Sequence, residues 1–452
     1  GLPCPCCACV VMHHGGEDSS RCGDAIAPPP PKPDDMPCDG TDGRAAVSRV
    51  YTAALPKMDV TPSTAATMSP SSITATHERS NWIRPDALLA KLPTTWSVLD
   101  MWKLPSDVPG DAGDHGTLLA GMARTPADGA FAPNALTTEA PLSLTDEAIA
   151  VLALAAFFTA PAFGPAALVA AIIAGCCGRV LLALTLVALV AWLCVWIPCP
   201  RAGAKHNYVV RAIYRYFSFR ICFSPKSKYT ADRPYVHVCA PHALFPIGGF
   251  LWQLSPYKTS RYHGRAAVAS AITRLPLWRQ LFYLLGTVPA ERKQMARLLA
   301  RGHHTGVAID GIAGIFADAA RPHSSPAVVM KSRKGVVRLA MQHGTPLVPV
   351  YSFVSRRPLR NWLGASGEWL SRCLKVSLIL PYGRFGPGLP PVPRRAVITT
   401  VVGDPVEVGP ACATPSEDMV NAIHAELCDA MVAAFNVHKD AVGWAGRTLE
   451  LI

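Results

Sequence analysis

A single histidine, His242, stands where a strand-like segment ends. Residues 235–240 read YVHVCA, an almost apolar run, and Pro241 then interrupts the strand pattern. Open α/β sheets build their sites at the carboxyl ends of strands, so the sequence places His242 where chemistry is expected. An imidazole titrates near neutral pH and can remove the proton from a hydroxyl group as its oxygen attacks a carbonyl carbon. The alternative is a histidine that is merely hydrogen-bonded within a turn.

A base of this kind needs an acidic group to orient or charge it, and the sequence offers few. Four acidic residues lie between positions 199 and 367, namely Asp232, Glu291, Asp310 and Asp318. Asp310 follows an apolar run and precedes Gly311, so it is the best candidate to act with His242; its alternative role is that of an N-cap or turn aspartate. Gly248 and Gly249 would let backbone N–H groups approach a developing oxyanion.

Several basic residues surround the start of a predicted helix, which has an apolar stripe over residues 336–340 and ends at Gly344. They are Lys331, Arg333, Lys334 and Arg338. Basic side chains and backbone N–H groups at a helix N-terminus favour anions such as phosphate, and Arg333 and Lys334 are the better placed because they precede the helix. The alternatives are a solvated helix face or contact with lipid head groups.

The segment 333–353, RKGVVRLAMQHGTPLVPVYSF, resembles a motif of the type-2 diacylglycerol acyltransferase family, which also includes monoacylglycerol acyltransferases and wax-ester synthases. Other segments resemble that family in the same order. Residues 240–243 (APHA) are similar to its His-Pro-His-Gly motif, and residues 275–279 (LPLWR) to its Leu-Pro-hydrophobic-Arg element. Residues 383–386, residues 401–408 and the helix ending near His438 and Lys439 resemble its C-terminal third. The resemblance covers about residues 145–452.

The resemblance implies an enzyme that transfers an acyl group from acyl-coenzyme A to diacylglycerol, giving triacylglycerol. His242 would assist direct attack on the thioester, with no covalent enzyme intermediate, while Arg333, Lys334 and Arg338 would bind coenzyme A phosphates. Acyl-coenzyme A is then a co-substrate, and neither a cofactor nor a metal is expected. Monoacylglycerol or a fatty alcohol is the nearest alternative acceptor. A non-catalytic lipid-binding relative that regulates an active acyltransferase is the alternative from another class.

The sequence departs from the family pattern inside two motifs. Ala240 and Ala243 replace the first histidine and the glycine of the His-Pro-His-Gly motif. Residues 307–316 (VAIDGIAGIF) stand where the family has a Gly-Gly-x-x-Glu-like segment. There Asp310 replaces the first glycine, and Gly314 stands where the acidic residue would fall.

Other acyl-handling chemistries are disfavoured by the sequence. No Gly-x-Ser-x-Gly segment is present, which argues against a hydrolase with an acyl-serine intermediate. The His-x4-Asp pattern of glycerol-phosphate acyltransferases occurs at His424 and Asp429, but inside a predicted helix, where this spacing points the two side chains apart. His303 and His304 lack the further ligands that a metal site would need.

Two apolar runs without charge, 149–177 and 180–198, predict a transmembrane helical hairpin over residues 145–200. Each run is long enough to cross a bilayer core of roughly 30 Å. Pro161 and Pro165 in the first run predict a kink, or a segment that enters and leaves on one side. Basic residues follow the second run, which predicts that both termini face the cytosol, in a multi-pass protein of the endoplasmic reticulum membrane or of lipid droplets.

Charge divides the chain at the hairpin. Residues 1–148 carry 10 Lys and Arg against 18 Asp and Glu, whereas residues 149–452 carry 33 against 13. The basic body suits contact with anionic membrane lipids, and the aromatic residues near the hairpin suit an interfacial belt. We therefore expect membrane lipids rather than nucleic acid as partners; the oligomeric state stays open, with a homo-oligomer as one possibility.

The predicted fold is an α/β sheet flanked by helices, a membrane-anchored acyltransferase-like domain over residues 201–452. Its strands are predicted near 235–240, 305–310, 347–353, 376–380 and 397–402. Residues 1–140 read as a low-complexity extension without a core. The two Cys-x-x-Cys pairs at its start overlap within six residues, so we do not assign them to a metal site.

Overall fold

The structure is a computed structural model. It describes residues 97–103, 131–196, 198, 208–223, 233–254, 265–364 and 379–452, together with positions 367, 369, 371 and 373. The N-terminal cysteine cluster, most of the predicted extension and Asp232 lie outside these residues.

The core of the fold is an eight-stranded mixed sheet in the order β1-β2-β11-β8-β3-β6-β4-β5. Its strands are β1 (Ser97–Asp100), β2 (Arg220–Phe223), β3 (Val236–Ala240), β4 (Arg265–Val268), β5 (Val288–Pro289), β6 (Thr305–Ala308), β8 (Leu347–Val354) and β11 (Ile398–Val402). The five neighbours β8, β3, β6, β4 and β5 run parallel, whereas β11 is antiparallel to β8. Two small sheets pair β7 (Ala327–Val328) with β12 (Glu450–Leu451) and β9 (Arg360–Asn361) with β10 (Pro381–Tyr382).

Four of the five predicted strands are confirmed as β3, β6, β8 and β11. The strand predicted near 376–380 is not found where the chain is described: residues 379–380 are not in a strand, and the short β10 follows them outside the main sheet. Residues 376–378 lie outside the described part. The edge strand β1 was not predicted, and it falls within the stretch assigned to the N-terminal extension.

Nine α-helices with defined bounds accompany the strands in the part of the chain described here, besides two short 3-10 helices and helical positions between 364 and 373. They are α1 (Leu144–Cys176), α2 (Val180–Val195), α3 (Tyr208–Tyr216), α4 (Ile247–Leu254), α5 (Trp278–Leu284), α6 (Arg292–Ala300), α7 (Gly311–Ala320), α8 (Gly335–Gln342) and α9 (Glu417–His438). The first half of α1 packs with α3 and α4 on one face of the sheet. Helices α6, α8 and α9 pack on the other face. The sheet is therefore covered on both sides, as its nearly continuous apolar strands predict.

Strand β8 is central and buried along almost its whole length, although it contains Pro349. A proline cannot donate to a strand ladder. Pro349 lies just beyond the last β11 pair, Val402 with Val350, and its carbonyl accepts the N–H of Gly403 at 2.8 Å. A Cβ atom on Gly403 would lie 2.8 Å from the proline ring, so a glycine is needed where the ring meets the neighbouring chain.

Parallel strands bring several helix N-termini to one edge of this sheet. Helices α4 and α7 follow β3 and β6, so their first turns lie at the carboxyl ends of those strands. Helix α8 precedes β8 and runs against it, which places its N-terminus at the same edge. This carboxyl edge therefore collects the ends of the three elements that carry the predicted site residues.

Helices α1 and α2 form the apolar region of the protein. Helix α1 is continuous through Pro161 and Pro165, and by length and composition it is long and apolar enough to cross a membrane. It buries Ala150 and Leu154 against the sheet domain, whereas Ile172, farther along the helix, is exposed. Helix α2 packs against α1 but has 16 residues, fewer than the ~20 that a crossing needs.

The basic and aromatic residues after the apolar runs stabilise the fold through ion pairs and core packing, which their sequence does not indicate. Arg215 pairs with Asp146 at 2.7 Å and Arg220 with Asp100 at 2.8 Å, and Arg233 pairs with Glu407. Several aromatic side chains of this segment are buried in the core, namely Tyr214, Tyr216, Phe217 and Phe219. The interpretation of these rings as an interfacial belt is therefore wrong, because they pack inside the protein.

Candidate active site

His242 lies in the loop that joins the carboxyl end of β3 to α4, as predicted, and its side chain is half-buried. Its Nδ1 is 2.9 Å from the carbonyl oxygen of Ala243. A carbonyl can only accept, so this contact is a hydrogen bond when Nδ1 carries the proton. In that tautomer the lone pair is on Nε2, which is the arrangement a general base requires.

Asp310 is the acidic residue that the fold brings to His242. Its Oδ2 accepts a hydrogen bond from the backbone N–H of His242 at 2.8 Å, and its side chain is buried. The bond runs to the main chain rather than to the imidazole, so Asp310 positions the loop that carries the ring. Asp310 is also the N-cap residue of α7 by position, as the alternative prediction had it, but its side chain makes no cap bond to that helix.

Electrostatics at Asp310 reflect this buried position. Burial raises the pKa of its carboxyl group, while attraction to a protonated His242 ring, the bond from the His242 N–H and the charge of Arg333 oppose that rise. A charged carboxylate at this depth is stabilised only by such partners. Asp310 thus interacts with both His242 and Arg333, although the three residues come from separate segments of the chain.

The other acidic candidates do not serve His242. Glu291 accepts a hydrogen bond from the Ser270 hydroxyl at 2.9 Å, and Asp318 pairs with Arg357 at 3.2 Å. Asp232 lies outside the described residues. Among the acidic residues predicted as partners and described by the structure, Asp310 alone bonds to the His242 loop.

Gly248 and Gly249 lie in the first turn of α4, where backbone N–H groups have no partner within the helix. A Cβ atom on Gly248 would overlap the side chain of Ser352 on β8 and lie 3.3 Å from the Thr400 hydroxyl. Gly248 therefore lets α4 approach the sheet closely. Gly249 has only ordinary contacts, and the oxyanion role of both N–H groups stays a prediction.

The predicted phosphate ligands divide into two groups. Lys331 and Arg333 are exposed and Lys334 is half-buried, in the turn before α8 at the carboxyl edge. The charge of Arg333 acts on Asp310, so this turn lies beside the candidate base. Arg338 lies one turn farther along α8 and pairs with Glu417 of α9. Its guanidinium is thus engaged in joining two helices.

The segment 275–279, which resembles a family element, fastens the sheet domain to α1 and α2. A Cβ atom on Gly164 of α1 would lie 3.2 Å from the ring of Pro276, so the two segments are in close contact. The indole N–H of Trp278 donates to the carbonyl of Phe157 at 2.6 Å. The Gln280 amide donates to the carbonyl of Trp196, just past the end of α2, at 2.9 Å. The motif in the sequence marks this segment but does not predict the attachment.

Aromatic rings fill the space between α1, the His242 loop and α5. Phe245, three residues after His242, contacts Phe157 and Phe158 of α1 edge-on, with ring centroids 5.8 and 5.0 Å apart. The cluster continues through Phe250 and Trp278. The side of the His242 loop that faces α1 is therefore apolar and aromatic.

The remaining histidine candidates are structural. His304 lies at the opposite, amino edge, where Nδ1 accepts the Tyr235 N–H at 3.0 Å and the two rings stack. His424 is buried and its Nε2 is 3.0 Å from the Met330 carbonyl, whereas Asp429 is exposed, so these two point apart as predicted. The described residues contain no group of three or more His, Cys, Asp or Glu side chains that would hold a metal ion.

Residues 178–451 match the model of a protein family described as Diacylglycerol acyltransferase. The chain belongs to this family. It is 28% identical over 272 residues to Diacylglycerol O-acyltransferase 2 of Mus musculus, covering 56% of this chain and 70% of the relative. It is 29% identical over 279 residues to 2-acylglycerol O-acyltransferase 3 of Homo sapiens, covering 57% and 81%. It is 26% identical over 288 residues to the human Acyl-CoA wax alcohol acyltransferase 2, covering 59% and 84%.

The family match begins near the end of α1 and includes every predicted site residue. The resemblance drawn from sequence motifs is confirmed, and the protein is an acyltransferase of the diacylglycerol acyltransferase family. Its relatives include proteins named for diacylglycerol, 2-acylglycerol and wax alcohol, at similar identities. Family membership alone therefore leaves the acceptor undecided.

Proposed function

We propose that this protein transfers an acyl group from acyl-coenzyme A to the free hydroxyl of diacylglycerol, giving triacylglycerol. The observation that carries the proposal is His242 at the carboxyl edge of the sheet, its loop held by the buried carboxylate of Asp310 and its Nδ1 directed at a carbonyl oxygen. This is a base with one nitrogen free for a substrate, set beside an apolar aromatic surface.

The reaction is a direct displacement at the thioester. Nε2 of His242 removes the acceptor hydroxyl proton as the oxygen forms a bond to the thioester carbonyl carbon. The tetrahedral intermediate collapses with cleavage of the carbon–sulfur bond, and the imidazolium returns its proton to the coenzyme A thiolate. The first-turn N–H groups of α4 at Gly248 and Gly249 would donate to the oxyanion. No cofactor takes part.

The donor would enter beside the turn before α8. Arg333 and Lys334 would bind coenzyme A phosphates there, because they lie at a helix N-terminus on the edge that carries His242. Lys331 is close enough in sequence to extend this basic surface. Arg338 is a weaker candidate than the sequence indicated, since Glu417 already neutralises it.

The acceptor would reach His242 from the side of α1. Helix α1 would anchor the protein in the bilayer, with α2 completing a hairpin, and the aromatic cluster around Phe157 would lie between the membrane and the base. We place the protein in the endoplasmic reticulum membrane, with both termini and the sheet domain in the cytosol. Protease treatment of sealed microsomes tests this topology, and protection of an epitope placed after Ile452 would contradict it.

Acyl transfer itself is tested with purified protein in micelles, labelled oleoyl-coenzyme A and a panel of acceptors. We expect the highest kcat/KM with diacylglycerol. Preference for monoacylglycerol or a fatty alcohol would keep the mechanism and replace the acceptor. Stable lipid binding without transfer to any acceptor would instead show a non-catalytic relative.

A further inference from the structure

The carboxylate of Asp310 fills the space that a side chain at position 314 would occupy. A Cβ atom on Gly314 would lie 2.5 Å from Cγ of Asp310 and 2.8 Å from its Cβ, which real side chains do not tolerate. The two residues are four apart at the start of α7, where side chains share one face. The N–H of Gly314 also donates to the carbonyl of Asp310 at 3.1 Å.

The same space can be reached by a carboxylate from either residue. The carboxyl carbon of a glutamate is two bonds from its Cβ, or about 2.5 Å away. A glutamate at position 314 would therefore bring its carboxyl group to the region that the Asp310 group now fills. Both carboxylates cannot be present together, because a side chain at 314 and the present position of Asp310 exclude each other.

The contacts of the Asp310 carboxylate indicate what it does in the site. Its Oδ2 accepts the N–H of His242, and its Oδ1 is buried without a hydrogen-bond partner among the described residues. Arg333 and, once its ring is protonated, His242 are the positive groups that act on it. A negative group here fixes the loop that carries the base and faces the imidazolium formed when His242 takes a proton.

We propose that the site requires a carboxylate at this position and that this chain supplies it from residue 310, with Gly314 kept small to receive it. The inference deepens the proposed function and rests on His242 being the base. The two sequence departures at 310 and 314 are then one exchange: the acidic side chain has moved by one helical turn while its carboxylate stays in place. Asp310 is a positioning residue in this account.

Exchange of the two residues tests the proposal. Asp310→Gly should lower kcat about 10- to 100-fold, and the double variant Asp310→Gly/Gly314→Glu should recover to within about 10-fold of the unsubstituted protein. The matched control is Asp310→Gly/Ala313→Glu, which has the same net charge but places the carboxylate at an exposed position of α7. The control should remain as slow as Asp310→Gly.

Thermal unfolding against pH gives a readout that does not depend on activity. Burial raises the pKa of Asp310 in the folded state above its ordinary value, so this one group contributes a fall in the free energy of unfolding as pH rises above the ordinary carboxyl range. The double variant should keep that fall, because its carboxylate lies in the same buried place beside His242 and Arg333. Asp310→Gly and the control should lose it.

Three results would overturn the proposal. One is a folded double variant that keeps the pH-dependent fall yet is no faster than Asp310→Gly, and another is equal recovery in the control. The third result comes from a smaller substitution. Gly314→Ala should displace the Asp310 carboxylate and lower kcat to the level of Asp310→Asn. An unchanged rate in a folded Gly314→Ala protein would therefore contradict the proposal. If the unsubstituted protein transfers no acyl group, the proposed function is contradicted instead. The pH dependence of stability would still test whether residues 310 and 314 can exchange the carboxylate.

Discussion

Two histidines at opposite edges of the same parallel strands show how position decides the use of a side chain. His304 precedes β6 at the amino edge, where it is buried, stacks on Tyr235 with ring centroids 5.7 Å apart, and accepts a backbone N–H. His242 follows β3 at the carboxyl edge and is half-buried. It lies near Asp310, which follows β6, and that aspartate also interacts with Arg333, which precedes α8.

The difference follows from how parallel strands are built. At the amino edge the residues directly before β3, β6 and β8, namely Tyr235, His304 and Pro346, are buried. At the carboxyl edge, chains turn outward into helices whose first N–H groups and loop side chains remain available. We therefore expect the amino edge to stabilise the fold and the carboxyl edge to hold the chemistry.

The largest effect should come from removing the base. His242→Ala should lower kcat about 10²- to 10⁴-fold, because proton removal from the acceptor would lose its catalyst. Membrane insertion and thermal unfolding should stay unchanged, since the ring is half-buried and bonds only to the neighbouring carbonyl. Kinetics with oleoyl-coenzyme A and diacylglycerol check this, and an unaltered rate would remove His242 from the chemistry.

Asp310→Asn should lower kcat about 10- to 100-fold, because the amide keeps an acceptor for the His242 N–H but loses the charge that faces the imidazolium. Glu291→Gln is the matched control, since Glu291 bonds to Ser270 at a distance from the loop. The two variants are compared in the same transfer assay. Equal and mild effects would show that Asp310 has no special part in the site.

His304→Ala should change stability and leave the chemistry alone. The substitution leaves a cavity and an unsatisfied buried Tyr235 N–H, so we expect a loss of about 2 kcal/mol in the free energy of unfolding. Activity per folded molecule should remain. Unfolding in denaturant measures the first quantity, and the transfer rate normalised to the amount of folded protein measures the second. A selective loss of kcat would break the comparison between the two edges.

Neutralising the turn before α8 should act on donor binding. Arg333→Gln/Lys334→Gln should raise the KM for acyl-coenzyme A about 10-fold with a smaller change in kcat, because phosphate contacts are made about equally in ground and transition states. The salt dependence of donor binding should also weaken. Arg338→Gln, which breaks the pair with Glu417, is the control and should leave KM unchanged. An unaltered donor KM in the folded double variant would rule out the phosphate site.

The smallest expected effect concerns the residue after the base. Ala243 has a φ of 48°, in the left-handed region where residues with a Cβ are strained. Ala243→Gly should therefore raise the free energy of unfolding by about 1 kcal/mol while keeping the carbonyl that Nδ1 of His242 contacts. Equilibrium unfolding with a parallel rate measurement checks both. A destabilised variant would mean that the loop is not under backbone strain.

The sequence by itself determined the elements whose signals are local. Strands β3, β6 and β11 are short apolar runs followed closely by proline, aspartate or glycine, β8 is a nearly continuous apolar run, and α8 has an apolar stripe and a glycine stop, so each was predicted near its observed bounds. The order of the motifs was enough to identify the family. His242, Asp310 and Arg333 were likewise predicted because each follows a strand or precedes a helix at a recognisable boundary.

Only the tertiary structure decided which groups meet. The pairing of β1 with β2, the burial of Tyr216 and Phe217, and the attachment of Trp278 to α1 join residues far apart in the chain, and no local pattern specifies such partners. The bond from Asp310 to the main chain of His242 belongs to the same class, as does the close approach that requires glycine at position 314. Local periodicity predicts which face of a segment is buried. The residues that this face packs against are set by the packing of the whole sheet.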